Sequence, residues 1–281
     1  MAVKIKQDRE FLFTEKDFNY LRKIANEHSG ITVSDDKYDM YYARIAKRVR
    51  ALGLNDFSEY CSYLKNNEEK EFTNFINSIT TNLTSFFREK MHFDYMVSNI
   101  IPEFKQKYSG TKKLRVWCAA ASTGEEPYTI ALTLAEQFDL KQWDISFLAT
   151  DIDSNVLATA KQGIYEAQRV ANVPPKSRKR WFKNGTGENE GTVRVVKELR
   201  DMVSFKRLNL IQEWPLKKKL DLIICRNVFI YFDGPTKEMI LERFYDLLVD
   251  GGYLILGHSE SIHSMSNEYK TMGHTIYKKE S

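Results

Sequence analysis

The stretch LRVWCAAASTGEE, residues 114–126, decides the fold of this chain. The apolar run at 114–118 predicts a buried strand, a turn of small residues leads to Gly124, and a helix is expected from about Glu126 to Phe138. This order is typical of the first unit of an open α/β sheet, where ligands bind beyond the carboxyl ends of the strands. The small side chains of the turn would let the backbone approach a ligand closely.

The same alternation continues towards the carboxyl terminus. Apolar runs at 145–150, 220–225 and 253–256 predict further strands, and helical patterns at 154–162 and 236–248 lie among them. Such alternation predicts an α/β domain with a doubly wound, mostly parallel sheet and helices on both faces. Residues 185–205 break the rhythm with three glycines and two short strand-like runs, which predicts a small antiparallel β insertion at about 180–205.

The first hundred residues have a different texture. Apolar residues recur there at helical spacing, no strand alternation is seen over 11–108, and the first proline is Pro102. Thr14 followed by Asp17 is typical of the box that caps the start of a helix. The chain is therefore expected to have two domains, a helical amino-terminal domain over 1–90 and the α/β domain over 91–281.

The composition excludes several classes of protein. The 281 residues are 42% hydrophobic, which excludes wholesale disorder, and the net charge of +4 is too small to indicate a nucleic-acid-binding protein. The three cysteines form no C-x-x-C pair and no histidine cluster accompanies them, so neither a disulfide framework nor a metal site is expected. No apolar run approaches the roughly 18 residues of a membrane span, and no signal peptide is seen, so a cytoplasmic protein is expected. The chain is also expected to be monomeric.

The turn after the first strand indicates the chemistry of its ligand. It lacks the G-x-G-x-x-G pattern that places a pyrophosphate on a helix start, and it carries Glu125 and Glu126 instead. Two acids at this helix start indicate a cationic ligand or an amine. The alternative is ordinary capping, because acids favour first helical turns. Asp151 ends the second strand, 27 positions after Gly124, close to the spacing at which an acid binds ribose hydroxyls. A ribose with a cationic group and no pyrophosphate describes S-adenosylmethionine.

Five ordered motifs resemble one family. They are RVWCAAASTGEEPY at 115–128, TDID at 150–153, TNLTSFFRE at 81–89, CRNVFIYFD at 225–233 and GHSE at 257–260. Together they resemble the CheR-type chemoreceptor glutamate methyltransferases, over nearly the whole chain and including a helical amino-terminal domain. The resemblance implies methyl transfer from S-adenosylmethionine to glutamate side chains of bacterial chemoreceptors, leaving S-adenosylhomocysteine, in sensory adaptation during chemotaxis.

The resemblance also implies the site residues, motif by motif. The cofactor contacts would be Asn82, Thr84, Arg88, Glu126, Asp151, Asn209, Leu210, Arg226 and Asn227. Glu126 is preferred to Glu125 by motif position. Arg88 and Tyr231 would lie nearest the transferred methyl group and are the candidate catalytic residues. The alternatives are a surface arginine at 88 and a packing tyrosine at 231.

This chemistry needs no general base. A glutamate carboxylate has a pKa near 4.3, so it is already an anionic nucleophile at neutral pH, and a sulfonium methyl is already activated. The protein would position the two reactants. Arg88 is expected to orient the carboxylate or close over the cofactor, and the Tyr231 hydroxyl to donate a hydrogen bond to the substrate.

Two surfaces are candidates for binding the receptor. Arg44, Lys47, Arg48 and Arg50 form a basic stripe on one predicted helix, which would suit an acidic receptor helix; the alternative is a solvated helix face. The glycine-rich loop at 185–191 resembles the flap loop of family members that dock on a peptide at the receptor's carboxyl terminus, by addition of a strand. The alternative is a decorative hairpin. Docking would recruit the enzyme to receptor arrays without insertion into the membrane.

Two other functions compete. A non-catalytic signalling module that binds S-adenosylmethionine is one, and retention of Arg88 and Tyr231 disfavours it. A nucleic-acid methyltransferase is the other, and it would typically need a motif such as Asn-Pro-Pro-Tyr, which the chain lacks. No nucleic-acid partner is therefore expected.

Overall fold

The computed structural model describes residues 9–262 and 268–280. The chain divides into two compact units: Met1–Thr81 with Tyr231–Asp233, and Asn82–Ile230 with Gly234–Ser281. The sequence placed the domain boundary at residue 90, whereas the helical unit ends at Thr81. Within the described residues, no helix combines the length and the apolar character needed to cross a membrane.

The first unit is helical, as predicted. Its helices are α1 Glu15–Ser29, α2 Tyr38–Ala51, α3 Phe57–Asn66 and α4 Glu68–Ile79. The capping box is present: the Thr14 hydroxyl accepts from the Asp17 N–H, and the Asp17 carboxylate accepts from the Thr14 N–H. The core includes Phe13, whose ring centroid lies 4.6 Å from that of Tyr38 and 4.2 Å from that of Phe57.

The second unit holds the α/β fold. Its strands are β1 Lys113–Cys118, β2 Asp144–Asp151, β3 Ile164–Glu166, β4 Phe182–Asn184, β5 Thr192–Val195, β6 Val203–Arg207, β7 Leu220–Cys225, β8 Leu248–Leu256, β9 Tyr269–Gly273 and β10 Ile276–Lys279. Its helices are α5 Met91–Tyr95, α6 Ile101–Lys107, α7 Glu125–Gln137, α8 Ser154–Gln162, α9 Pro175–Trp181, α10 Lys197–Met202 and α11 Gly234–Leu247, with one π-helical turn, Met96–Ile100, joining α5 to α6.

The main sheet has seven strands in the order β6-β2-β1-β7-β8-β10-β9. The first five strands of that order are parallel, and β10 and β9 complete the sheet in antiparallel pairing. The chain builds outward from β1 in one direction through β2 and β6, then in the other through β7 and β8. The strand order therefore reverses between β1 and β7, which is where open α/β sheets bind ligands.

Burial explains why these elements pack as they do. All six residues of β7 are buried, as a strand covered on both faces requires. Asp221 is the polar member of that strand, and its carboxylate accepts the Arg115 N–H at 2.7 Å. Helix α7 buries eleven residues from Glu125 to Ala135 and starts after Gly124, whose φ of 99° is left-handed.

The β insertion differs from the prediction in its members. Strands β3, β5 and β4 form a separate antiparallel sheet in that order, so the insertion begins at Ile164 rather than near residue 180. The run at 202–205, which the sequence placed in the insertion, instead spans the end of α10 and the start of β6, which lies at the edge of the main sheet, parallel to β2. Val203 and Phe205 are buried and Ser204 is exposed, an alternation that suits an edge strand but does not identify its partner.

Candidate active site

The loops that follow the parallel strands meet at one edge of the main sheet. Strands β1, β2, β7 and β8 end at Cys118, Asp151, Cys225 and Leu256. The Ala119 N–H donates to the Ile224 carbonyl at 2.8 Å, and the Leu208 N–H donates to the Asp151 carbonyl at 3.0 Å. Backbone hydrogen bonds thus join the loops after β1 and β7 and those after β2 and β6.

The turn after β1 holds the Asp151 carboxylate. The Ser122 N–H donates to Asp151 Oδ2 at 2.8 Å, and the Asp153 N–H donates to Oδ1 at 3.0 Å. Burial raises the pKa of Asp151 to about 6, and these backbone donors oppose that rise. Each carboxylate oxygen has two acceptor sites, so both oxygens can still accept a hydroxyl proton. Ser122 adopts a φ of 46°, a conformation that a non-glycine residue rarely takes.

Glu126 forms a buried ion pair with Arg226. The Arg226 Nη1 atom donates to Glu126 Oε2 at 2.5 Å, and Arg226 and Glu126 are 4% and 7% exposed. Burial raises the pKa of Glu126, while the Arg226 charge acts to lower it. Arg226 Nη2 also donates to the Arg88 carbonyl at 2.5 Å, which ties the loop after β7 to the segment before α5.

Glu89 is the second carboxylate on Arg226. Its Oε2 accepts from Arg226 Nη2 at 3.0 Å and from the His258 N–H at 3.0 Å, and its Oε1 accepts from Asn227 Nδ2 at 3.2 Å. Burial acts to raise the pKa of Glu89, but Arg226 and the hydrogen-bond donors outweigh it and the pKa is lowered. Glu89 and Asn227 have φ angles of 53° and 57°, so both ends of this contact adopt an uncommon backbone conformation.

The charges of this cluster are nearly balanced. Glu89 and Glu126 both pair with Arg226, and Arg88 Nε lies 4.0 Å from Glu89 Oε1, so two arginines face two glutamates. Burial and the Arg226 charge lower the pKa of His92 to about 4, so this neighbour of Glu89 is neutral at pH 7. A positive group of a ligand beside the buried Glu126 carboxylate would be stabilised there, because little water screens the charges.

Glu125 has a partner of its own. It is fully buried, it forms an ion pair with Arg169, and Thr123 Oγ1 donates to its Oε2 at 2.6 Å. Its charge is therefore compensated independently of Glu126. Arg169 Nη2 also donates to the Thr84 carbonyl at 3.2 Å.

The segment 82–88 lies against the turn after β1. Asn82 Nδ2 donates to Asp153 Oδ2 at 2.9 Å, and the Ser122 hydroxyl donates to the Asn82 carbonyl at 3.3 Å. The Arg88 side chain is partly exposed, and its Nη1 donates to the Leu83 carbonyl at 2.8 Å. Arg88 thus joins the cluster through its carbonyl and through its guanidinium, whose Nε lies 4.0 Å from Glu89 Oε1.

The Asn209–Leu210 pair follows β6, next to the end of β2. Asn209 Oδ1 accepts the Ile211 N–H at 3.2 Å, and the buried Leu210 accepts from Trp214 Nε1 through its carbonyl at 3.1 Å. The structure therefore brings to this edge all the residues predicted to contact the cofactor, namely Asn82, Thr84, Arg88, Glu126, Asp151, Asn209, Leu210, Arg226 and Asn227.

The basic stripe and Tyr231 belong to the first unit. Arg44 Nη1 donates to the Ile79 and Thr80 carbonyls at 2.6 and 2.7 Å. Arg48 makes a two-pronged ion pair with the buried Glu71, through N–O distances of 2.9 and 2.7 Å. Arg50 pairs with Glu10 on the surface, and Lys47 is exposed. The Tyr231 carbonyl accepts the Thr32 N–H at 2.7 Å. Arg44 and Arg48 thus hold α2 against α4 and the residues after it, whatever else they bind.

Three carboxylates of the site were not singled out from the sequence. Glu89, Asp153 and Glu260 lie in the family motifs at 81–89, 150–153 and 257–260. Asp153 also carried a local signal, because an Asp before a helix is a common cap. Asp153 accepts the Asn155 N–H at 2.8 Å at the start of α8. Glu260 is buried and accepts the N–H groups of Asn227 and Gly257 at 2.8 and 2.7 Å, so it joins the loops after β7 and β8.

Comparisons with known proteins agree with this architecture. The family model "CheR methyltransferase, SAM binding domain" matches residues 82–278, and "CheR methyltransferase, all-alpha domain" matches residues 16–80. Chemotaxis protein methyltransferase 2 of Pseudomonas aeruginosa is 41% identical over 96% of this chain and 95% of its own length. The chemotaxis protein methyltransferase of Salmonella typhimurium is 41% identical over 98% and 94%, and that of Borreliella burgdorferi 38% identical over 90% and 91%.

Proposed function

The chain belongs to the CheR methyltransferase family, and from that premise we propose that it methylates side-chain glutamates of bacterial chemoreceptors to glutamyl methyl esters. That it is a methyltransferase of chemotaxis using S-adenosylmethionine follows from the family itself. Relatives named as methyltransferases over nearly their whole length disfavour a non-catalytic module. The glutamate ester is the finer step.

The proposed cofactor site rests on two carboxylates at the carboxyl ends of the strands, those of Glu126 and Asp151. S-adenosylmethionine, when bound, supplies an electrophilic methyl group on a positively charged sulfur. The buried Glu126 carboxylate would favour that positive cofactor, and Asp151 would accept hydrogen bonds from the ribose hydroxyls. Glu125 is less suited, because it is fully buried and already paired with Arg169.

The buried thiols are poor alternatives as nucleophiles. Cys118 Sγ lies 3.6 Å from Glu126 Oε1, and burial raises the pKa of this thiol well above its usual value. Burial does the same to the pKa of Cys225. Since the thiolate is the reactive form, neither side chain is prepared to attack a methyl group at neutral pH. A substrate carboxylate arrives ionised and needs only to be positioned, which supports a glutamate as the methyl acceptor.

Two residues would position that carboxylate. Arg88 has a partly exposed guanidinium that contacts the Leu83 carbonyl and, at 4.0 Å, Glu89, so an incoming carboxylate would compete with these partners for it. Tyr231 would donate its hydroxyl proton in a hydrogen bond to the substrate. Both roles are assigned from the motif positions.

The direct experiment is methyl transfer from radiolabelled S-adenosylmethionine to membranes that contain a cognate receptor. The expected product is a methyl ester, which releases volatile methanol in mild base. Asp151→Asn, whose transfer should fall at S-adenosylmethionine concentrations below saturation, serves as the control variant after its folding has been checked by circular dichroism. A base-stable product would contradict the proposal, and tight binding of S-adenosylhomocysteine without transfer to any receptor would favour the non-catalytic module.

We also propose that two surfaces bind the receptor. Lys47 and Arg50 are the exposed members of the basic stripe, which suits electrostatic encounter with an acidic helix. The loop at 185–191 follows β4, an edge strand of the small sheet that could accept an added peptide strand. Calorimetry with carboxyl-terminal receptor peptides, before and after deletion of 186–190, tests the second surface. Retained binding after the deletion would show that the loop does not bind the receptor peptide.

A further inference from the structure

We propose that the β insertion positions the cofactor turn through Arg169 and Tyr165. The insertion would then serve cofactor binding as well as any receptor peptide. This inference rests on the cofactor site proposed above. It goes beyond docking, because a module that only tethers a receptor needs no contact with the cofactor turn.

Tyr165 in β3 contacts the turn at its tightest point. Its hydroxyl donates to the Thr123 carbonyl at 2.8 Å. A Cβ atom added to Gly124 would lie 2.7 Å from the Tyr165 hydroxyl, so this oxygen packs directly against the glycine. The left-handed φ of 99° at Gly124 and the tyrosine together set the direction in which α7 leaves the turn.

Arg169, just after β3, joins two segments that carry predicted cofactor contacts. Its guanidinium pairs with Glu125 at the start of α7 and donates to the Thr84 carbonyl at 3.2 Å. The Arg169 side chain is 42% exposed, whereas Glu125 is fully buried. The insertion therefore provides the partly exposed Arg169 as the cation that pairs with the fully buried Glu125 carboxylate.

Aromatic packing holds the insertion against the same segment. The Phe86 ring meets Tyr165 edge-on with centroids 5.2 Å apart, and it meets Phe182 of β4 in the same way at 5.4 Å. Phe86 is fully buried and lies between Thr84 and Arg88 in the chain. Two strands of the insertion thus pack on the segment whose backbone also contacts the turn.

Loss of Arg169 should therefore reach the cofactor. A buried carboxylate without its cation is unfavourable, so the first turn of α7 would shift to bring Glu125 towards solvent. Glu126 is the next residue in the first turn of α7, and its ion pair with Arg226 depends on where that turn begins. We expect the main effect on cofactor affinity and a smaller one on the rate of methyl transfer from the bound state.

The test is calorimetric titration of the full chain with S-adenosylhomocysteine, using Arg169→Met, Arg169→Lys and Tyr165→Phe. The matched control is Arg178→Met, an exposed arginine in α9 of the same insertion. We expect Arg169→Met to weaken binding at least tenfold, Arg169→Lys to restore part of that loss, and Tyr165→Phe to weaken binding several-fold. The KM for S-adenosylmethionine should rise in parallel with little change in kcat, and Arg178→Met should match the unchanged protein.

A purely structural role gives a different result. If Arg169→Met and Tyr165→Phe lower the melting temperature but leave the dissociation constant within twofold, the proposal is wrong. Should Arg169→Met not fold, Glu125→Gln with Arg169→Met removes both charges together and is judged by the same tenfold criterion. Because the readout is binding, failure of receptor methylation would overturn the proposed function without deciding this inference.

Discussion

Replacing Asp151 by asparagine should stabilise the protein while it weakens the cofactor site. Burial raises the pKa of Asp151 from its usual 3.8 to about 6. At about 1.4 kcal/mol for each tenfold change in proton affinity, the ionised carboxylate costs the folded state about 3 kcal/mol at pH 7. Asparagine has one acceptor oxygen, so the N–H of Ser122 or Asp153 loses its partner, at about 1–2 kcal/mol. The net stabilisation expected at pH 7 is about 1–2 kcal/mol.

The same variant has a characteristic pH dependence. Between pH 4 and pH 6 the folded protein binds more protons at Asp151 than the unfolded chain does, so this residue makes the free energy of unfolding fall as the pH rises. Below pH 4 the carboxyl group is neutral in both states and its cost disappears. Asp151→Asn should therefore be about 1 kcal/mol less stable than the unchanged protein at pH 4 and more stable at pH 7.

Urea unfolding at pH 4, 5, 6, 7 and 8 measures this crossover, provided that the slopes with urea are equal. Asp201→Asn, an exposed replacement in α10, is the control and should stay within about 0.5 kcal/mol at every pH. Binding of S-adenosylhomocysteine to Asp151→Asn should weaken ten- to hundredfold. An Asp151→Asn protein that is less stable at pH 7, or a difference that is flat with pH, refutes the buried-charge reasoning. Unchanged binding would remove Asp151 from the cofactor site.

Three further predictions concern the other charged and polar groups. Arg226→Met leaves the buried Glu126 without its cation and Glu89 with Arg88 alone, so it should lower the free energy of unfolding by about 3–5 kcal/mol. The loss should be larger at pH 8 than at pH 5, where the carboxylates can take up protons, and a loss below about 1 kcal/mol in urea unfolding would contradict this. Lys47→Glu should slow receptor methylation several-fold at low salt, with the effect shrinking at 0.5 M salt and binding of S-adenosylhomocysteine unchanged; an effect independent of salt counts against electrostatic encounter. Tyr231→Phe should lower kcat about ten- to hundredfold with an unchanged KM for S-adenosylmethionine. Full activity in single-turnover assays would show that the Tyr231 hydroxyl has no role in methyl transfer and that the side chain only packs.

Local patterns predicted the elements that local interactions determine. Helix α8 begins and ends where the sequence placed it, because Asp153 caps its start and Gly163 adopts the left-handed conformation at its end. Strand β7 also matches at both ends, because a bounded, mostly apolar run of this length is typical of a buried strand and short for a helix. The cofactor turn was recognisable for the same reason, as strand, small residues and helix are adjacent in the chain.

Long-range pairing was beyond such patterns. Strand β6 has a clear alternation, yet its partner β2 lies about fifty residues earlier, so the sequence assigned the run to the wrong sheet. The i,i+4 spacing of Arg44 and Arg48 predicted a basic face, but Glu71, 23 residues away, pairs with Arg48. The buried Arg226 pairs with Glu126, which lies 100 residues earlier, and no local pattern around Arg226 predicts that contact.

The three residues Tyr231–Asp233 have a consequence for how this protein can be divided. They sit in the middle of the α/β sequence, yet they belong to the helical unit, where Thr32 donates to the Tyr231 carbonyl. The polypeptide therefore passes between the units three times rather than once. A cut after Thr81 separates the regions matched by the two family models, but it leaves Tyr231–Asp233 on the carboxyl-terminal fragment, away from the helices they pack with. Recombination between relatives should accordingly succeed when the helices and the 231–233 segment come from the same parent, and fail more often when they do not.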